Sequence, residues 1–363
     1  MKLMNRRILL IGGLFLFVSV VGLLLSNWRH DASQGAGEAE EGVEIRHIAK
    51  PAGGVSGGTA THYPEGAMVP AQEGIRGSRA RNPVDLFEEW MASLSRKDAT
   101  DSGAIAQALG ELLRGNPHGN DEFYRRVRRV FFDSSTSPRT RQELVRLLDR
   151  AATPAAAQFL LELAQQDLPP SLRQTLLSAL SSIGDYYWDK GFRSELTPML
   201  LEAWLQAQDP PLLEALAAAM AKTAVPEGIN QLLDTVLARG KTLLEIQRSR
   251  DPRVSAAWSA LESLQNPDVI PILASHLPQD AAGTTEAVIC AGLLASMGRI
   301  EATEALLSWA RGAGDSCASL IRDVFAKIQT FEALEFLRAA MAQNQSFKSG
   351  YVRQAILSAL KKN

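Results

Sequence analysis

A recurrence, and not any single motif, decides what this chain is able to build. From Pro83 onward the sequence is a succession of helix-period segments broken by Pro, Gly and Asp, without strand alternation or a hairpin signal. A large apolar residue that closes one helical segment returns as Leu148, Leu180, Met220, Leu261, Leu294, Phe325 and Leu360, at spacings of 32, 40, 41, 33, 31 and 35 residues. Three positions later come Ala151, Ile183, Thr223, Leu264, Met297 and Ile328. At or near the sixth position a break follows, held in three units by Pro154, Pro226 and Pro267. Proline is tolerated in the first turn of a helix, where its missing N–H has no partner to lose, so a second helix is predicted to begin there. One helix pair cannot bury its apolar face alone, whereas a stack of pairs can. With aromatics at only 6% of residues, the core must be mostly Leu and Ala, which suits close-packed helices.

The segments "SLRQTLLSALSSIGD" (171–185), "DPRVSAAWSALESLQNPDVIPILASHL" (251–277) and "YVRQAILSAL" (351–360) carry an Asp-Pro-like start, an early Arg, Ala at mid-helix and a Leu/Gly/Asp finish. This pattern resembles HEAT repeats of the bilin-lyase type, over residues 120–363. Tetratricopeptide repeats fit less well, because their period is stricter and their Trp/Gly/Tyr signature is missing. The resemblance implies an all-α, HEAT-like α-solenoid, a scaffold used by adaptors and by some lyases that act on tetrapyrroles. The repeats are expected over 134–363, with 83–133 as a helical cap that shields the end of the stack. Within it, "DEFYRRVRRVFF" (121–132) puts Phe123, Val127 and Val130 on one face and Arg125, Arg126, Arg128 and Arg129 on the other.

Residues 8–25, ILLIGGLFLFVSVVGLLL, form an 18-residue run without a charge, preceded by Lys2, Arg6 and Arg7. As a helix it covers roughly 27 Å, close to the hydrocarbon thickness of a bilayer. A cleaved signal peptide has a shorter apolar region and small residues at its cleavage site, whereas this run leads into Ser26-Asn27-Trp28-Arg29. We expect a transmembrane anchor with residues 1–7 in the cytoplasm, hence a single-pass inner (cytoplasmic) membrane protein whose C-terminal domain is periplasmic or otherwise extracytoplasmic. Residues 26–82 are expected to be a flexible, disordered linker, since ten glycines fall within 31–82 and no sustained apolar period appears.

A formal net charge of −2 gives no reason to expect nucleic acid as a partner. The two cysteines, Cys290 and Cys317, lie on first helices of adjacent units and are expected to be buried thiols, too far apart to bridge. No CxxC, HExxH or phosphate-binding glycine loop occurs, so no metal or cofactor site is expected. Eight arginines in 123–150 read as a solvated face, or as a contact for anionic lipid.

Two adjacent units are eight or nine residues longer than the common spacing of 32. The first excess holds "GDYYWDKGF" (184–192) and the second "RGKTLLEIQRSRD" (239–251). Extra length in a solenoid goes to loops or to a longer second helix, and adjacent insertions are expected to be neighbours in space. Tyr186, Tyr187, Trp188, Asp189 and Phe192 then stand beside Arg239, Lys241, Arg248, Arg250 and Arg253. Rigid rings and arginines suit a partner protein's acidic segment. The same rings also suit packing between units, with the charges solvated. The leading expectation is therefore a non-catalytic scaffold or adaptor that binds an envelope protein. The alternative is an enzyme of the HEAT-like lyase type acting on a tetrapyrrole or an envelope component, with Asp185 and Asp189 as its acids.

Overall fold

The computed structural model describes residues 82–94, 100–185, 190–238, 242–277, 284–343 and 346–361. The expected anchor at 8–25 and the linker up to residue 81 lie outside the described residues. Among those described, no helix is long and apolar enough to cross a membrane.

Helix starts follow capping chemistry. Ser137, Thr153, Asp209, Asp251, Thr284 and Ser349 each accept a backbone N–H of the helix they open, satisfying donors that have no intrahelical partner. Pro154, Pro226 and Pro267 stand at the first residue of second helices, as predicted, although Pro267 opens a short 3-10 turn, Pro267–Val269, before the helix proper. No strand occurs among the described residues.

The helices form two layers. The first-helix layer runs α2 (Thr100–Gly115), α4 (Pro138–Ala151), α6 (Pro170–Ser182), α8 (Pro210–Thr223), α11 (Pro252–Glu262), α13 (Thr285–Ser296), α15 (Ala318–Phe325) and α17 (Gly350–Leu360). The second layer holds α1 (Pro83–Leu94), α3 (Asp121–Phe132), α5 (Pro154–Ala164), α7 (Lys190–Gln206), α9 (Pro226–Leu237), α12 (Ile270–Ser275), α14 (Ile300–Gly312) and α16 (Phe331–Ala342). A five-residue helix, α10 (Leu243–Gln247), sits on the connection from α9 to α11. Each first helix packs on the next, and α5 and α9 each contact two consecutive first helices. This is a two-layer helical-repeat solenoid.

The repeat register is the core register. Leu148, Leu180, Met220, Leu261, Leu294 and Phe325 are buried, as are all six residues three positions on. Leu360, on the last described helix, is half-buried. Thr223 is buried without penalty because its hydroxyl donates to Met220 O at 2.8 Å. Four residues after the anchor the chain turns left-handed at Ala152, Gly184, Ala224 and Gly298, with φ of 48, 81, 52 and 62°. The recurring Gly finish thus marks the corner between first and second helix.

The corner rule assigns the two insertions to different connections. The first insertion occupies the first-to-second corner after α6 and also lengthens α7 to 17 residues, against 11 in α5 and 12 in α9. The second insertion lies on a second-to-first connection and contains α10. These two kinds of connection leave opposite ends of the first helices, about 20 Å apart for a helix of this length. The described parts of the two insertions therefore belong to different kinds of connection.

Candidate functional site

Of the expected partner-binding residues, Phe192, Arg248 and Arg250 are described. Tyr186, Tyr187, Trp188, Asp189, Arg239 and Lys241 lie outside the described residues. Phe192, half-buried at the start of α7, meets the His118 ring edge-on with centroids 6.4 Å apart. Arg248 and Arg250 are exposed at the other edge, after α10. Arg253 is a packing residue rather than a partner ligand. Its guanidinium donates to the carbonyls of Trp204 (2.6 Å), Leu205 (3.1 Å) and Ala207 (2.6 Å), closing the C-terminus of α7, and it lies over the Trp204 ring. The Arg-rich face of α3 is largely ion-paired: Arg126 with Glu88, Arg128 with Glu162 and Arg125 with Glu122.

The corner edge carries two features with a use. The first is a row. The opening residues of successive second helices, Pro226, Pro267, Ile300 and Phe331, all face solvent, with Ile300 43% and Phe331 70% exposed. By sequence register Tyr186 holds the same place in its unit. Ile300 and Phe331 were visible in the repeat alignment, as large apolar residues standing where other units carry proline. The second is a cleft of about 610 Å³ between the corner after α6, the C-terminal half of α8 and the corner after α11. Its described lining includes Asp185, Arg193, Ala218, Ala221, Lys222, Leu264, Asn266 and Pro267.

Each polar group of the cleft is positioned by its corner. Gly184 turns the chain so that Asp185 reaches Lys222, whose Nζ lies 3.1 Å from Asp185 Oδ2. Asn266 donates to Lys222 O at 3.3 Å and accepts from Asp268 N–H at 3.0 Å. Asp185 is thus an ion-pair member, which removes the ground for treating it as one of two free acids. Arg193, in the first turn of α7, is 8% exposed. Its Nη2 is 3.6 Å from Asp268 Oδ2, too long for a hydrogen bond, and its buried Nε has no partner. Nothing in the sequence distinguished Arg193 from the other arginines.

Cys290 and Cys317 are both buried, and neither forms a disulfide. Burial, with the Glu286 charge second, pushes the Cys290 thiol up to about 12. No group of three or more His, Cys, Asp or Glu that could hold a metal occurs among the described residues.

Fold and edge together define a helical-repeat protein with an apolar row and a polar cleft at its corners. No protein-family model matches the chain. No curated protein matches it either. Among solved structures the chain is similar to the complex of CpcE and CpcF of phycocyanin lyase from Nostoc sp. PCC7120, at 15% identity and a TM-score of 0.25, over 82% of this chain and 99% of that one. At that score the fold description rests on the helix packing given above.

Proposed function

We propose that this protein is a membrane-anchored, extracytoplasmic scaffold that holds another envelope protein along the corner edge of its repeats. The observation that carries the reading is the register-matched exposure of Ile300 and Phe331, in line with Pro226 and Pro267. Isolated surface apolar residues need no explanation, but a row repeated at one place in successive units is a surface feature of the stack itself. Helical repeats use such rows to bind extended partners. The charge-free run at 8–25 and its basic flank supply the anchor and the topology. The linker gives the repeats a reach of roughly 35–45 Å as a coil.

Crosslinking in intact cells tests the reading. The full chain is compared with an Ile300→Ser/Phe331→Ser variant, a Tyr186→Ala/Tyr187→Ala/Trp188→Ala variant and an opposite-edge control, Leu205→Ser/Leu244→Ser. Leu205 and Leu244 are also exposed, at 64 and 52%. The expected result is loss of one crosslinked envelope protein in the corner variants, retention in the control, and unchanged thermal melts. Equal capture by every variant removes the corner edge from consideration. Protection of the repeats from protease added to spheroplasts contradicts the topology.

A further inference from the structure

Arg193 is a buried guanidinium whose Nε has no hydrogen-bond partner among the described residues and whose one described ion pair, with Asp268, is long. A guanidinium presents five N–H donors and stays charged at any physiological pH. Its side chain is 10% exposed, Asp268 approaches only to 3.6 Å, and its Nε is buried without a partner. An arginine kept for packing is normally better served, as Arg253 shows with its three carbonyls. A buried charge left short of partners destabilises the fold that contains it. Arg193 also lines the 610 Å³ cleft. A charge held this way, at the wall of a cleft, is poised for an acceptor that arrives from outside.

The charges around it decide which acceptor. Lys222 is matched by Asp185 at 3.1 Å, and Asp268 stands beside Arg193. Among the described groups, a dianion entering here meets two carboxylates, whereas one carboxylate on the guanidinium fork meets a nearly balanced surround. The remaining wall is apolar, with Ala218, Ala221, Leu264 and Pro267, and accepts the body of a side chain. Pro267 belongs to the exposed corner row, so the cleft and the row are continuous. We infer that the Arg193 cleft binds a single carboxylate on a peptide, an acidic side chain of the partner that lies along the corner edge. The inference rests on the scaffold reading for the source of that carboxylate, and on the cleft's own chemistry for the rest.

The probe is glutamate blocked at both ends, as N-acetyl-glutamate methylamide, with the matching glutamine compound and inorganic phosphate at equal ionic strength. Thermal melts of the full chain in detergent read binding. At about ten times its Kd the blocked glutamate should raise Tm by roughly 2–4 °C, while the blocked glutamine leaves it in place and phosphate gives less than half the rise. Arg193→Met should abolish the rise, and without ligand it should melt at or above the native temperature, because it removes a poorly partnered buried charge. Arg193→Lys keeps the charge, loses the fork and should respond weakly. Equal rises with glutamate and glutamine, or a larger one with phosphate, overturn the proposal. So does an Arg193→Met chain that melts several degrees lower, since that marks a structural arginine. Failure of Arg193→Met to fold counts the same way, and the native chain's glutamate-against-glutamine contrast tests the cleft without any variant. Absence of that contrast, with the corner-edge crosslink intact, removes the cleft and leaves the scaffold reading standing.

Discussion

Arg193 and Arg253 show that a side chain's role in this fold is set by what its donors meet. Arg253 closes α7 through three carbonyls that would otherwise end the helix without partners, and it stacks on Trp204. Arg253→Ala should therefore cost about 2–4 kcal/mol, measured by urea unfolding, with Arg253→Lys recovering only part. A loss below roughly 1 kcal/mol contradicts the assignment. Two neutral groups shape the response to alkali. Burial pushes Cys290 from 9.0 to about 12. Burial also pushes Tyr124 from 10.0 to about 12, against the opposing effect of its hydrogen bond with Thr153. Both pKa values are higher folded than unfolded, so the unfolded chain loses these protons first. Stability from this source is complete below about pH 9 and falls as pH rises towards 12. Melts between about pH 8 and 11 should show Tm descending, and Cys290→Ala and Tyr124→Phe should each make the descent shallower. An unaltered slope in both variants places the alkaline loss on other groups.

The corner is the element that makes a repeat. Gly298 turns left-handed, and a Cβ there would lie 2.6 Å from Thr330 Cγ2. The Thr330 hydroxyl itself donates to Gly298 O at 2.6 Å, tying one corner to the next. Gly298→Ala should destabilise by about 1–3 kcal/mol, from backbone strain and the displaced threonine. Gly292 is the contrast. It lies inside α13, where a Cβ would meet only Lys327 Nζ at 3.6 Å, and Gly292→Ala should stabilise by up to about 1 kcal/mol. Differential scanning calorimetry of the two variants should show shifts of opposite sign. The same corners show what the sequence makes legible. Burial at the anchor and three residues beyond follows from periodicity, and Pro154 and Pro226 mark helix starts because proline has few other places to go. The side on which a connection emerges depends on whether it follows a first or a second helix. Without that parity the insertions at 184–192 and 239–251 read as one surface. Ile300 and Phe331 were legible as departures from proline, but their exposure was not. Arg193 was invisible, since a buried charge with one long ion pair is a property of several segments meeting and not of any one of them.

In the described solenoid, each helix touches mainly helices close to it in sequence. Stability in such a stack is a sum of unit and neighbour terms, so a defect is felt locally before it is felt globally. Cys290 and Cys317 make this measurable, because both thiols are buried late in the stack and neither is held in a disulfide. Leu148, fully buried in α4, lies early in it. Leu148→Ala should remove about 2–5 kcal/mol from the early units by leaving a cavity. If coupling between neighbours is weaker than that loss, the early helices open while the late ones hold. In a urea series on the full chain, the variant should then lose part of its helical circular dichroism at a concentration where neither thiol yet reacts with a maleimide pulse. The native chain should show the two midpoints closer together. A variant whose helix loss and thiol labelling share one midpoint would show that the neighbour terms dominate, and that the repeats open as one cooperative body.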